Sequence, residues 1–448
     1  MKPSRSSQFP KYYAAEIETM GRDRLQEHQW QRLQWQVKRC YDSSAFYRER
    51  FDRVGLKPDD ITSLDQVTKI PPVTKQELRD EQMAHPPFGR YVVAPQADWR
   101  ELHPSTGTTG VPVNTIWTEK DVENITQWTI RTLWQSGVRP GDIVQNGYSY
   151  GLWVAGMSCH YAAKAMGCFV LPIGASLAER QVDYLLNPGS DVLLCTPSFA
   201  LYIAERLHQR GIKADDIRCR LGIHGGEAGA EIPPTRQKIE ARLGIEAYDY
   251  YGLAEIGPTC ASECEVKQGI HWVEDHLLVE IIDPATKEPC PPGEVGVLVL
   301  THLSKEATPM LRYWTNDLAR MVVDRCPCGR THARSPGGVL GRADDMIIYK
   351  GANFYPAQVE KVIRGFEELG DEFRIRITTD DKTGIDVITV IAEYLSREID
   401  NDAFRARVRQ AFREELEVTP NLELVQSGTL ERTMFKAVRV EDMRAKAG

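Results

Sequence analysis

Residues 191–252 carry DVLLC (191–195), SFALYIAERLHQRG (198–211), LGIHGG (221–226), PPTRQKIEARLG (233–244) and EAYDYYG (246–252). Short apolar runs alternate here with stretches of helical length and spacing, which predicts an α/β core with a largely parallel sheet. The alternation begins near residue 141 and includes AERQVDYLL (178–186) as a further helix. On the N-terminal side, residues 11–55 read as amphipathic helix, with Trp30, Leu33, Val37 and Cys40 at helical spacing. After residue 270 the pattern changes to LLVEIID (277–283), GEVGVLVLTHL (293–303) and ARMVVD (319–324), split by Pro and Gly turns, which predicts a β-rich subdomain. From residue 346 the order is strand (MIIYK), helix (AQVEKVIRGF), strand (FRIRITT), strand (DVITVIAEYL), helix (AFRARVRQAFREEL) and strand (LELVQSG). This βαββαβ order predicts a small ferredoxin-like α+β domain. The expected division is a large multi-layer domain, 1–341, and a small one, 342–448.

The chain has 448 residues, enough for two or three domains, and its 42% hydrophobic and 26% charged residues exclude a fibrous or disordered protein. Lys and Arg number 55 against 63 Asp and Glu, for a net charge of −8, so no global basic footprint favours a nucleic-acid partner. No run approaches the roughly 18 apolar residues of a membrane span, and the first residues lack a signal-peptide core. A cytoplasmic location without membrane contact is expected, in which the ten cysteines stay reduced.

The strongest local signal is Ser105-Thr106-Gly107-Thr108-Thr109-Gly110, a loop of hydroxyls and glycines. Glycines let backbone N–H groups approach an anion, and hydroxyls add donors, so the loop suits phosphate; a polar turn between strands is the alternative. It is not a Walker loop, because no Gly-Lys-Ser/Thr follows. Gly225-Gly226-Glu227 follows an apolar run, where a tight turn is the first reading and the approach of a flat ligand the second. Tyr251-Gly252-Leu253-Ala254-Glu255 offers an aromatic face and a carboxylate that suits Mg²⁺ or a solvated surface. Asp317 is placed to accept two ribose hydroxyls or to close a salt-bridged turn. Gly341-Arg342-Ala343-Asp344-Asp345 sits at a composition boundary and reads as a pivot or a plain linker.

The order of these motifs resembles the adenylate-forming superfamily of acyl-CoA synthetases, adenylation domains and luciferases, from about residue 30 to the end. Trp35-Gln36-Val37, Phe46-Tyr47-Arg48, Tyr150-Gly151-Leu152, Trp272-Val273-Glu274-Asp275-His276 and Gly351-Ala352-Asn353-Phe354-Tyr355-Pro356 look specifically like the phenylacetate-coenzyme A ligase family. The resemblance implies that Ser105 to Gly110 hold ATP phosphates, that Gly226 and Glu227 lie beside the adenine and that Tyr251 packs on it. It also implies Glu255 as the magnesium-side acid, Asp317 and Arg342 at the ribose, Asp344 or Asp345 as the hinge, and Lys436 as the mobile lysine of adenylation. Val111 stands where many superfamily members have Lys, and Gly-Gly-Glu replaces a frequent Gly-Ala-Glu.

The implied chemistry joins an acid to AMP with loss of diphosphate and then passes the acyl group to coenzyme A. Lys350-Gly351 would approach the pantetheine after the small domain turns. Tyr148, Tyr150 and Trp153, with Gly252, form the expected acyl site, and their rings favour an aryl acid such as phenylacetate, indoleacetate or a benzoate. Core packing is the other reading of Trp153. An aryl-adenylating enzyme that loads a carrier protein is the alternative function, and a homodimer is compatible with either. Finally, Cys264, His271, Cys326 and Cys328 supply four soft ligands suited to structural Zn²⁺, with Cys260 or His332 as substitutes and unlinked thiols as the competing reading.

Overall fold

The computed structural model describes residues 8–105, 111–350, 352–380, 385–432 and 437–444. Its central sheet has eight strands in the order Arg334–Ser335, Ile270–Trp272, Gly257–Glu263, Glu246–Leu253, Leu221–His224, Val192–Cys195, Ile143–Asn146 and Phe169–Leu171. The last five are mutually parallel, whereas Glu246–Leu253 turns back into antiparallel partners. Helices Val154–Ala165, Ala178–Leu186, Pro197–Gln209 and Pro233–Leu243 make the crossovers. Every residue of Val192–Cys195 and of Leu221–His224 is buried, as strands covered on both faces require.

Local sequence sets the helix ends. Thr196 caps Pro197–Gln209 by accepting from the Phe199 N–H, and Pro197 occupies the first turn, where its missing N–H costs nothing. Gly244 ends Pro233–Leu243 at φ 62°, the left-handed turn that glycine adopts without strain.

The β-rich subdomain is a second sheet, Val73–Thr74, Tyr313–Ala319, Gly296–His302 and Leu277–Ile282, with Gly341–Arg342 added to Tyr313–Ala319. Helix Arg22–Ser43 buries Leu33, Val37 and Cys40 in the same apolar cluster as Leu277, Val279 and Leu300 of that sheet. Gln29 and Gln36 lie on this buried face because each donates to a main-chain carbonyl across the seam, Glu274 O at 2.9 Å and Lys305 O at 2.8 Å.

The C-terminal part has its own apolar core, including Phe354, Val359, Phe373, Val390 and Phe412. Helices Pro356–Arg364 and Asp402–Leu416 accompany a four-stranded sheet ordered Asn421–Gln426, Asp386–Tyr394, Leu369–Thr379, Val440–Asp442. The element order expected from the sequence is present, with one difference in pairing. Ile347–Tyr349 forms a hairpin with Ala352–Phe354, and the edge place in the sheet goes to Val440–Asp442. Only the two residues Lys350 and Gly351 separate those hairpin strands, so local pairing forestalls the longer-range one.

His224 and His302 are fully buried, and burial lowers their imidazoles to about 4 and about 3. The two nitrogens of His302 lie 2.7 Å from Ile256 O and 2.9 Å from the Met310 N–H, which commits it to a neutral tautomer. The unfolded imidazole titrates near 6.5, so this contribution is complete above that pH and is lost as pH falls through the window toward the folded value. Glu231, raised to about 8 by burial, acts with the opposite sign over part of that window, so the contribution of His302 is read as a difference. His302→Gln, which cannot titrate, is expected to remove up to about 1.4 kcal/mol per pH unit from the slope of stability between pH 6 and 4, measured by urea unfolding. Equal slopes in the two proteins would contradict this assignment.

Candidate active site at the carboxyl rim of the sheet

The chain moves outward from Ile143–Asn146 to Phe169–Leu171 and then crosses to Val192–Cys195 on the other side. This reversal opens a crevice at the carboxyl ends of the parallel strands, where open α/β sheets bind ligands. Tyr148, Tyr150 and Trp153 follow the first strand, Gly225-Gly226-Glu227 follow Leu221–His224, and Tyr251 ends the run of Glu246–Leu253. Topology therefore delivers three separate sequence motifs to one rim.

Gly225 is required there, since an added Cβ would lie 2.5 Å from the Tyr250 carbonyl. Gly226 has φ +91° and lies under the Trp153 ring, whose nearest atom is 3.3 Å from the Cβ position. Trp153 is half-buried, with its ring edge-on to Tyr148 at 5.5 Å. Tyr148 itself is fully buried and its hydroxyl donates to Cys195 O at 2.9 Å, so it backs Trp153 and ties two strand ends. Tyr150 is half-buried at the rim, its hydroxyl accepting from Asn146 Nδ2 at 2.9 Å and lying 3.1 Å from His160 Nδ1. Gly252 has a packing reason of its own, because a Cβ there would meet the Pro258 carbonyl at 2.1 Å within the hairpin.

Tyr251, Asp317 and Arg342 come together. The Tyr251 hydroxyl donates to Asp317 Oδ2 at 2.5 Å, and Arg342 Nη1 donates to Asp317 Oδ1 at 3.2 Å from the directly paired strand position. Burial and the neighbouring Asp317 push the Tyr251 phenol well above its ordinary range. Arg342 also forks onto Asp344, at 2.9 and 2.8 Å, so Asp317, Arg342 and Asp344 form one network. Asn316 enters the left-handed region at φ 64° and donates to Asp344 Oδ2 at 3.2 Å.

Glu255 is buried, and its Oε1 lies 3.0 Å from Lys75 Nζ. Lys75 begins the helix Lys75–Ala84, whose capping box uses Thr74 and Glu77. Four residues on, Arg79 Nε donates to Val111 O at 3.0 Å, at the exit of the hydroxyl loop. The helix thus places two cations near the motif that lacks a lysine at position 111. Sequence reading missed both, since nothing local links residues 75 and 79 to residues 111 and 255. Ser105 is buried, with its Oγ accepting the Val113 N–H at 3.0 Å, which closes the base of the loop. Thr106, Gly107, Thr108, Thr109, Gly110, Gly351 and Lys436 lie outside the described residues.

Glu227 departs most from expectation. Its Oε1 accepts the Ser198 N–H at 2.9 Å and its Oε2 accepts the Ala437 N–H at 2.7 Å, one position beyond Lys436. The carboxylate beside the expected adenine place thus touches the small domain.

The soft-ligand cluster is distinct from this rim. Cys264, His271, Cys326 and Cys328 are all buried, and their ligand atoms lie within 4.8 Å of one another. Cys264 Sγ is 3.9 Å from Cys326 Sγ, and Cys328 Sγ is 3.6 Å from His271 Nε2. A tetrahedral zinc with ordinary bond lengths needs sulfur–sulfur edges of about 3.8 Å and sulfur–nitrogen edges of about 3.6 Å. His271 Nδ1 lies 3.2 Å from His332 O, the kind of outer contact that orients a ligating imidazole. Cys260 and His332 are engaged elsewhere, through Gly257 O at 3.0 Å and Trp272 O at 2.9 Å. The four residues fit the ion.

Residues 55–314 match the family described as AMP-binding enzyme, and residues 351–444 match the AMP-binding enzyme C-terminal domain. A phenylacetate-coenzyme A ligase of Thermus thermophilus is 36% identical over 96% of this chain and 99% of its own length. One of Pseudomonas putida is 37% identical over 96% of each chain. Among solved structures, 2-hydroxyisobutyryl-CoA ligase in the postadenylation state, in complex with R3-HIB-AMP, is 29% identical and superposes with a TM-score of 0.90 over 98% of this chain and 95% of that one. The same ligase with 2-HIB-AMP and CoA in the thioesterification state, at 30% identity over 99% and 95% of the two chains, gives 0.73. The adenylate-forming fold, the aromatic and carboxylate groups collected at one rim and the near full-length matches agree: the chain belongs to the phenylacetate-coenzyme A ligase family of the adenylate-forming enzymes.

Proposed function

We propose that the protein is an AMP-forming aryl-carboxylate CoA ligase: the acid and ATP give an aryl adenylate and diphosphate, and the CoA thiol then displaces AMP to give the thioester. The observation that carries this reading is the contact of Ala437 with Glu227, which brings the residue next to Lys436 to the rim where Tyr251, Asp317 and Arg342 meet. A small domain held at Glu227 through Ala437, with Tyr251, Asp317 and Arg342 collected together, suits the first half-reaction.

The residues take the following parts. Asp317 accepts the ribose hydroxyls with Arg342 beside it, Tyr251 and Gly226 flank the base, and Ser105 to Gly110 wrap the phosphates. An acid oxygen attacks the α-phosphorus, and Lys436, with Lys75 beside Glu255 and Arg79 at the loop exit, offsets the charge that develops there. Glu255 is the protein ligand for Mg²⁺: its buried carboxylate is an oxygen donor of the kind that a hard cation shares with phosphate and water. When bound, Mg²⁺ neutralises phosphate charge. Trp153 and Tyr150 offer the aryl ring an edge and a face, and Tyr148 fixes Trp153 from behind.

The second half-reaction requires the domain of residues 342–448 to turn on the domain of residues 1–341 at Asp344 and Asp345, bringing Lys350 and Gly351 to the pantetheine. Structural zinc at Cys264, His271, Cys326 and Cys328 is part of the proposal. Four protein ligands leave no open position, so the ion clips segments together and serves no chemical step. No helix among the described residues is long and apolar enough to cross a membrane, which agrees with a cytoplasmic enzyme, and a homodimer is compatible with it. Loading of a carrier protein is the second reading, since the same adenylate can meet a tethered thiol.

Diphosphate release with ATP and a panel of aryl and alkyl acids, followed by free CoA, tests the assignment. Aryl acids are expected to give thioester; an adenylate stalled until carrier protein is added would select the second reading. Lys436→Ala is expected to slow adenylate formation on the order of 10²-fold or more while sparing thioester formation from presynthesised aryl adenylate. Equal loss in both steps would refute the domain rotation. For the metal, protein purified without chelator is expected to carry about one zinc per chain. The Cys326→Ser/Cys328→Ser variant should lose it and melt at lower temperature, because Cys264 and Cys326 are 62 positions apart and the ion closes a long loop. A metal-free parent of full stability would exclude the site.

A further inference from the structure

The segment that carries Lys436 is tied to the large domain at both of its ends, and both ties lead to one helix, Pro197–Gln209. On the near side, Arg432 of the small domain forks onto Glu205, with Nε 3.2 Å from Oε2 and Nη2 3.3 Å from Oε1. The same guanidinium donates through Nη1 to Glu393 Oε1 at 2.7 Å, inside its own domain. Glu393 is fully buried and also accepts the Gly428 and Leu430 N–H groups, which fixes the loop leading to Arg432. On the far side, the Ala437 N–H reaches Glu227 Oε2 at 2.7 Å, and Arg439 Nη2 donates to Ser198 Oγ at 3.1 Å.

Pro197–Gln209 is suited to act as the platform. Ser198 sits in its first turn, where backbone N–H groups lack helical partners and the helix dipole favours an anion. Glu227 occupies that position through Oε1 and turns its other oxygen to the small domain. Glu205 lies seven residues beyond Ser198, two turns along the same face.

We propose that Glu205 and Glu227 form a two-point carboxylate latch that holds Arg432 and Ala437, on either side of residue 436 in sequence, against the large domain for adenylation, making both of them positioning residues for the first half-reaction. This rests on the assignment of Lys436 under the proposed function. Each contact joins one domain to the other, so the latch opens whenever the small domain turns for thioester formation. The chemistry of Glu227 makes the latch specific to a carboxylate. It accepts two N–H donors, one per oxygen, whereas a glutamine of equal size has a single acceptor oxygen and would point its amide hydrogens at the second donor.

The experiment uses the full chain with Glu205→Gln and Glu227→Gln. Adenylate formation is read from diphosphate release, thioester formation from presynthesised aryl adenylate and CoA, and protection of the Ala437 amide from hydrogen–deuterium exchange in the presence of ATP and aryl acid. Glu205→Gln is expected to lower kcat of adenylate formation about tenfold, the scale of one charge-assisted contact, with KM for ATP unchanged. In Glu205→Gln thioester formation should stay at the parent rate or rise, and Ala437 should exchange faster in both variants. Parent-like adenylation and protection in both variants would overturn the latch, as would equal loss in the two half-reactions. A parent that forms no adenylate with any acid refutes the functional reading instead, and Ala437 protection in the parent against its loss in the variants still reports on the latch.

Discussion

Parallel strands whose backbone groups are all buried must lie side by side under helices, and that constraint determines where everything else in this protein can be. Because Ile143–Asn146, Val192–Cys195, Leu221–His224 and Glu246–Leu253 run the same way, their carboxyl ends fall on one rim. The loops that follow need not be near one another in sequence to meet there. Tyr150, Glu227 and Tyr251 lie along one rim for this reason. Asp317 and Arg342 arrive from the second sheet, where strand pairing sets them directly opposite each other. The rim is thus a product of backbone hydrogen bonding before any ligand is considered.

What the sequence conveyed follows the same division. Alternating apolar runs and helical stretches were enough to read the parallel core, and helical spacing was enough to place Leu33, Val37 and Cys40 inward. The contact of Tyr251, Asp317 and Arg342 was anticipated only through resemblance, since residues 66 and 25 positions apart share no local signal. Counting soft ligands picked out four residues whose ligand atoms do lie within 4.8 Å. Tyr148 misled because an aromatic in a rim motif reads the same whether its ring faces the crevice or, as here, the core. The Ile347–Tyr349 strand misled because element order does not specify pairing, and the nearer partner was Ala352–Phe354. Lys75 and the second oxygen of Glu227 were invisible, as their partners lie 180 and 210 positions away.

Electrostatics at the rim is arranged as shared carboxylates more than as isolated pairs. Asp317 accepts from Tyr251 and Arg342, and Glu227 accepts from Ser198 and Ala437. A carboxylate with both oxygens committed is held in one orientation, so a ligand meets fixed charge and the reorganisation cost falls. Burial raises the Glu227 carboxyl, and Arg439 opposes that shift from the small domain.

The seam between the domains is built of different material from the cores on either side of it. The small-domain cluster around Phe354, Phe373 and Phe412 is complete within residues 347–440, while Ala343 and Tyr355 pack on the large-domain cluster of Ile282, Val297, Val299 and Leu318 near the boundary. Helix Pro233–Leu243 meets the small domain through polar groups instead. Thr235 donates to Glu360 at 3.2 Å, Lys238 donates to Phe366 O at 3.1 Å, and Arg242 pairs with Asp371. Burial lowers Lys238 to about 8, so part of its charge is already costly in the docked state. Each such contact would be exchanged for water in the proposed rotation, at a net change per hydrogen bond of only about 1 kcal/mol. An apolar seam of the same extent would have to expose its surface at about 25 cal/mol per Å² and would hold the domains in one arrangement. The polar contacts along Pro233–Leu243 would give definite register when closed and a low cost of opening, which the proposed rotation between two reactions at one carbonyl requires.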